Sequence, residues 1–319
     1  MDHIDLKKAH AQFIDYLRFT CMLSPSTVRN HLKVFDLLIK RFPHLTSDMI
    51  DPDLLTDFFK WLRTRDRIVG RGTRITGIKR STVATYWRKL SRFFSWLRVK
   101  GILAVNPLKT EGMQCPQVYY ADKKFLDRSD IEQIMAAISF KIRWPNDFLR
   151  TRNLALISVA ANCGLRRGEL LALRLKDIDL MRNEVTVRAA TSKSHSDRTV
   201  PLNSRARRDL DSYLDQRKVR GLTTEYVWVS DRCDRPITID GLRNMLKMVV
   251  VGSKVKFHLH QLRHTFAVNF LHNSGQNSFK LQRLLGHRSI VSTAIYTRCL
   301  PIQAIRADVE RLSDLENTL

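Results

Sequence analysis

At 319 residues the chain is longer than a usual single domain and long enough for two separate cores. Its 55 Lys+Arg against 31 Asp+Glu leave a net charge of +24 and a pI near 10.3, which suits a polyanionic partner such as nucleic acid. A hydrophobic content of 44% is that of a globular protein. No apolar run is long enough to span a bilayer, and the polar start at Met1 to Leu6 lacks a signal-peptide core, so no membrane partner and an intracellular location are expected.

The first third reads as four helices. Ala9 to Thr20 is amphipathic; Ser24-Pro25 starts a second helix running to Phe42 before Pro43; a third follows Asp51-Pro52 through Leu62. The fourth carries Val83, Tyr86, Trp87, Leu90, Phe93, Phe94 and Leu97 at helical spacing, with Ser81 as its expected cap and Gly101 closing it. Between helices three and four lies a glycine-punctuated basic segment, expected to be a flexible DNA-gripping loop. Arg65, Arg67, Arg71, Arg74, Lys79 and Arg80, with Arg88 on the fourth helix, are its candidate phosphate contacts. Residues 1–112 hold 21 basic and 10 acidic side chains, a net of +11, leaving +13 for the rest, so both parts are basic.

Asn106 to Pro116 reads as linker, giving a helical DNA-binding domain over 1–112, a linker over 113–122 and a second domain over 123–319. The second domain is mixed: a helix from Asp127 or Ser129, an apolar helix from Leu154 to Asn162, and a turn at Gly164 with a short helix through Leu173. Strands at Val185–Val187 and Thr199–Leu202 flank a polar tip containing Lys193, and helices follow near 204–220, 239–251, 261–271 and 278–285. The expected fold class is mainly α with a small β-sheet (α+β). Cys21, Cys115, Cys163, Cys233 and Cys299 form no metal-ligand spacing and read as reduced structural residues, with no structural zinc.

The chemistry concentrates in two clusters. Gly164-Leu165-Arg166-Arg167-Gly168-Glu169-Leu170 is one; the other runs from His260-Gln261-Leu262-Arg263-His264 through Leu285-Gly286-His287 to Tyr296, nine positions after His287. Arginine binds phosphate through a planar fork, imidazole moves protons near neutral pH, and a tyrosine hydroxyl can form a covalent phosphate ester. These motifs, with a lysine ahead of Arg198-Thr199-Val200-Pro201-Leu202, resemble in type and order the tyrosine recombinase (phage integrase) family. The likeness covers the second domain, and the helical first domain resembles that family's core-binding domain.

The resemblance implies that Arg166 and Arg263 clamp the scissile phosphate and that Tyr296 attacks phosphorus, leaving a 3′-phosphotyrosine and a free 5′ hydroxyl. It further implies His260 as base, Lys193 as acid for the leaving oxygen, and His287 as a donor to a phosphate oxygen. Glu169 would orient His260 or the arginine, and His264 would support or pack. His195 and Lys176 are weaker substitutes for Lys193. Ser292-Thr293-Ala294 departs from the threonine pair common in relatives, and Ser192 and Ser194 replace glycines common around the lysine. The implied enzyme is a site-specific DNA recombinase needing neither ATP nor metal, nor any other cofactor. Its partners would be double-stranded recombination sites, worked on as a homotetramer, with or without a related recombinase, through a Holliday junction. The implied setting is the nucleoid of a prokaryote or a mobile element, and the tail residues Ile302, Ile305, Val309 and Leu312 would dock on a neighbouring protomer or in cis. A type IB topoisomerase-like activity, a catalytically silent DNA-binding regulator and a general RNA-binding protein are the competing expectations.

Overall fold

The computed structural model describes residues 4–70, 72–118, 125–191 and 196–297. Arg71, Lys193, His195 and the tail residues Ile302 to Leu312 lie outside the described residues. The chain divides into two compact units, Met1–Tyr120 and Ala121–Leu319.

In the first unit each helix start is set by local chemistry. α1 (Leu6–Asp15) opens on Asp5, whose carboxylate accepts from Lys7 N at 2.8 Å, and runs on into a wider turn at Tyr16–Thr20. α2 (Pro25–Arg41) has Ser24 as cap and proline in its first turn, and α3 (Pro52–Thr64) has Asp51 accepting from Leu54 N at 2.7 Å. One face of each helix buries apolar side chains, among them Leu6, Phe13, Leu38, Phe58, Leu62, Phe94 and Leu97.

The expected flexible loop is instead a hairpin. β1 (Asp66–Val69) pairs antiparallel with β2 (Thr73–Thr76), and Gly77 N donates to Arg65 O at 2.8 Å to close it. α4 (Arg80–Val99) therefore starts one residue before Ser81, behind Lys79, which provides no side-chain cap. The linker expectation also needs correction at its start. Asn106 is buried and donates to Ser91 O and Ser95 Oγ at 2.8 Å, and Leu108 joins the core, so the chain stays docked on α4 through the turn Pro107–Lys109.

The second unit begins with α5 (Arg128–Ala136), capped by Asp127, whose entry is held by Leu126 N donating to the Thr265 hydroxyl at 2.8 Å. α6 (Asp147–Cys163) starts well before the apolar run that announced it. Its first half hides polar residues that find partners inside the protein: Arg152 donates to Val229 O at 2.8 Å and to Asn153 Oδ1 at 2.8 Å, although Asn153 Nδ2 has no hydrogen-bond partner among the described residues. Such a helix, buried nearly all round, occupies the centre of its unit. Burial pushes the Cys163 thiol at its end up to about 12, which makes it inert.

After α6 come α7 (Arg167–Leu171) and an antiparallel sheet in the order β3 (Ile178–Asp179), β4 (Glu184–Val187), β5 (Arg198–Pro201). β3 is too short to leave a sequence signal. Val185, Val187, Arg198 and Val200 share the buried face, a period of two along each strand. α8 (Ser204–Val219), α9 (Ile239–Ser253), α10 (Leu259–Asn273), α11 (Ser278–Leu285) and the single turn α12 (Val291–Ala294) complete the unit. His258, which carried no role in the sequence, caps α10 by accepting from Gln261 N at 3.1 Å, so the helix starts two residues before Gln261. Among the described residues no helix is long and apolar enough to cross a membrane.

Candidate active site

The short helix α7 has five residues and cannot hold itself in water. Tertiary contacts fix it. The fully buried Trp228 ring stacks on Tyr213 with centroids 5.5 Å apart, and its indole N–H donates to Leu170 O at 2.8 Å. At the other end Gly164 turns the chain out of α6 with φ +60, where a Cβ would collide with the Phe266 ring. Arg166 follows at the start of α7.

Glu169 is the centre of the charge cluster. Its side chain is 1% exposed and takes bonds from Arg198 Nη2 at 2.6 Å, Arg166 Nη1 at 2.7 Å and Arg166 N at 2.8 Å. Arg263 Nη1 lies 3.8 Å from the same carboxylate. Burial opposes its charge, but the hydrogen bonds and positive charge of Arg198 and then Arg166 outweigh this and bring its carboxyl down to about 2. Glu169 is therefore an anion under three cations, and the cluster keeps a net positive charge.

Arg263 reaches from α10 to two helix ends, donating to Gly164 O at 2.7 Å and Leu285 O at 2.9 Å. The C-terminal carbonyls of a helix lack internal partners and carry the negative end of its dipole, so a buried guanidinium fits there. Burial, with Arg166 nearby, lowers Arg263 to about 10, leaving it charged at neutral pH. Its Nη2 also lies 3.0 Å from His287 Nε2. Arginine can only donate, so His287 Nε2 accepts here, and its Nδ1 carries the hydrogen and donates to Thr293 Oγ1 at 2.9 Å.

Tyr296 is 2% exposed, packed among Ala267, Val268, Leu271, Leu281 and Leu285. Its hydroxyl lies 2.8 Å from His264 Nδ1, and its ring is parallel to that of His287 within 8° at 6.4 Å. His260, one turn before His264 on α10, is exposed and sets its ring edge-on to that of His264 at 4.3 Å. The sequence pointed to His260 as the base for the tyrosine; the structure also brings His264 to its hydroxyl. Arg166, Glu169, His260, Arg263, His264, His287 and Tyr296 all lie in the second unit, linked by these contacts, whereas Lys193 lies outside the described residues.

Arg198 and Thr293 carried no assigned role in the sequence. Arg198 had one usable signal, its in-register spacing with Val200 on the buried face of β5. Thr293 stood out only as part of the Ser292-Thr293-Ala294 segment, and its bond to His287 depends on the turn of chain between them.

The candidate DNA contacts of the first unit are of two kinds. Arg65 lies over the Trp61 ring of α3 at 4.2 Å, while Arg67 Nε donates to Gly77 O at 2.8 Å and Arg74 Nε to Asp66 at 3.0 Å, so the last two serve the hairpin itself. Lys79, Arg80 and Arg88 are exposed.

Comparison with known proteins agrees with this architecture. Residues 124–301 match the model of the phage integrase family. The chain is 30% identical to the tyrosine recombinase XerC of Vibrio vulnificus (strain YJ016) over 92% of its own length and 87% of the relative's. It is 27% identical to that of Proteus mirabilis over 92% and 89%. Among solved structures, the Tn1549 transposon integrase in complex with a circular intermediate DNA shares the fold with a TM-score of 0.75 at 17% identity, covering 95% of this chain and 98% of the other. The XerH recombinase bound to a palindromic difH substrate does so at 0.73 and 17%, covering 93% and 82%. Fold and sequence together define a tyrosine-type site-specific DNA recombinase. The chain belongs to the phage integrase family.

Proposed function

We propose that the second unit cleaves and rejoins DNA through a 3′-phosphotyrosine at Tyr296, using Arg166 and Arg263 as the phosphate clamp. The observation that carries this is the meeting of Arg263 with His287 at 3.0 Å, beside a tyrosine whose hydroxyl is held by His264. Positive charge fixed in place before the reaction stabilises the charge that builds on the non-bridging oxygens.

In the forward step Tyr296 Oη bonds to phosphorus, the bond from phosphorus to O5′ breaks, and the proton of the phenol passes to the His264–His260 pair. Lys193 gives a proton to O5′. The 5′ hydroxyl of a second strand then attacks the phosphotyrosine, frees Tyr296 and restores a phosphodiester, so the bond energy is conserved and neither ATP nor metal enters the balance. His287 accepts from Arg263 in the resting site; to donate to a phosphate oxygen its imidazole must gain a proton or exchange tautomers. The Thr293 hydroxyl serves either form, since it both donates and accepts.

The partner is double-stranded DNA; in support, the Tn1549 integrase is in complex with a circular intermediate DNA and XerH is bound to a palindromic difH substrate. Strand exchange requires two such sites, and the reading extends to four protomers exchanging strands through a Holliday junction at a bacterial nucleoid. The residues after Tyr296 would link neighbouring protomers. Lys79, Arg80 and Arg88 supply backbone contacts from the first unit. The test is a nicked DNA substrate that traps the covalent complex. The parent protein is expected to form the adduct and Tyr296→Phe to bind DNA without forming it; an adduct that survives the substitution would sink the proposal.

A further inference from the structure

Three successive carbonyls at the end of α11 are taken by three arginines from three different elements. Arg198 Nε donates to Leu284 O at 2.8 Å, Arg263 Nη2 to Leu285 O at 2.9 Å, and Arg166 Nη2 to Gly286 O at 3.2 Å. Two of these arginines belong to the proposed clamp. The third, from β5, has no part in the chemistry assigned so far. Gly286 itself has φ +61, and a Cβ there would lie 2.9 Å from Arg198 Nη1, so the turn before His287 is shaped around this guanidinium.

Arg198 is placed differently from its neighbours. Its Nε is used by Leu284 O and both terminal nitrogens by Glu169, at 3.2 and 2.6 Å, so all three guanidinium nitrogens are engaged, whereas Arg263 comes no nearer to Glu169 than 3.8 Å. A guanidinium spent in this way is a brace and not a phosphate ligand. Its place in the sheet matters too. Val187 and Arg198 are the outermost pair of the β4–β5 ladder, at the end from which the 188–197 connection carrying Lys193 departs. Asp197 Oδ1 accepts from Ala189 N at 2.6 Å and narrows that connection at its base.

We propose that Arg198 is a positioning residue: it bolts the end of the β4–β5 ladder to Glu169 and to the turn bearing His287, so that the lysine-bearing connection is referenced to the phosphate clamp. The inference rests on the strand-cleavage reading above. Lysine cannot reproduce the role, because one nitrogen cannot stand in the three places where the guanidinium nitrogens meet Leu284 O and the two Glu169 oxygens. A small displacement of an acid from its leaving group is enough to slow a reaction by about 10²-fold.

The experiment compares single-turnover adduct formation by the full chain on two nicked DNAs, one ordinary and one with sulfur in the bridging 5′ position. Sulfur leaves without protonation, so it rescues a misplaced acid and leaves a damaged clamp unrescued. Arg198→Lys is expected to bind DNA as the parent does, to lose about 10²-fold on the ordinary substrate, and to recover on the sulfur substrate. Equal loss on both, or no loss on either, overturns the assignment. Arg198→Gln repeats the comparison without the charge; if neither variant gives a cooperative thermal transition, Arg198 is a stability residue and the assignment also fails. Lys193→Ala run alongside separates the two readings. Rescue of Lys193→Ala without rescue of Arg198→Lys defeats Arg198 alone, whereas no rescue of Lys193→Ala defeats the lysine's acid role and with it the inference.

Discussion

The Tyr296 hydroxyl and Nδ1 of His264 lie 2.8 Å apart in a nearly closed interior, with the exposed His260 edge-on to the same imidazole. A phenol with a pKa near 10 needs a proton acceptor within hydrogen-bond reach. His264→Phe is therefore expected to slow single-turnover adduct formation by roughly 10² to 10⁴-fold with DNA binding unchanged. A rate unaffected by His264→Phe but lost in His260→Asn would move the base to His260.

Thr293 is fully buried and fixes His287 through Nδ1. Thr293→Val keeps the shape and removes the hydroxyl, whereas Thr293→Ser keeps the hydroxyl. Cleavage by the valine variant should fall and its pH profile should shift, because the ring loses the partner that supports both tautomers. The serine variant should restore the parent profile. Matching profiles for valine and parent would show that the bond does not govern His287.

Glu169 gives the catalytic unit a defined acid sensitivity. Its carboxyl titrates near 2 in the folded protein against an ordinary 4.5. A depressed carboxyl stabilises the fold above its unfolded pKa, and that contribution is lost as pH falls from 4.5 toward 2; the full effect is on the order of 3 kcal/mol. Urea melts at pH 7, 4 and 3 should show this loss in the parent and a flatter dependence in Glu169→Gln. Equal slopes would remove Glu169 as the source.

The salt dependence of DNA binding should separate the two groups of basic residues in the first unit. A phosphate contact contributes about 0.9 to the slope of log affinity against log salt. Arg88→Ala is expected to reduce the slope by about 1, while Arg74→Ala, whose guanidinium is already engaged by Asp66, should change it less. Equal changes would mean that the hairpin opens to the DNA on binding.

Much of the architecture was legible because it is written locally. Ser24-Pro25, Asp51-Pro52 and Asp127 each cap a helix through atoms two or three residues away, and the apolar repeat of α4 needs no partner to be read. In the basic segment after α3 the glycines and charges obscure a four-residue ladder. The pairing of Asp66 with Arg74 and Thr76 is what makes a strand of it. The first half of α6 was missed for a related reason, since Arg152 and Asn153 look solvated until Val229 supplies a buried acceptor.

By itself the sequence pointed to a polyanionic partner, through a charge of +24, and to the reaction class, through arginine, histidine and tyrosine motifs whose order resembles the tyrosine recombinase family. Neither needs coordinates to be read. The tertiary structure alone decided that His264 meets Tyr296, that His287 sits between Arg263 and Thr293, and that Arg198 reaches Glu169 across 29 residues of chain. Hydrogen bonds act over about 3 Å, so residues far apart in sequence acquire their partners only when the packing of α7, β5, α10 and α11 brings them together.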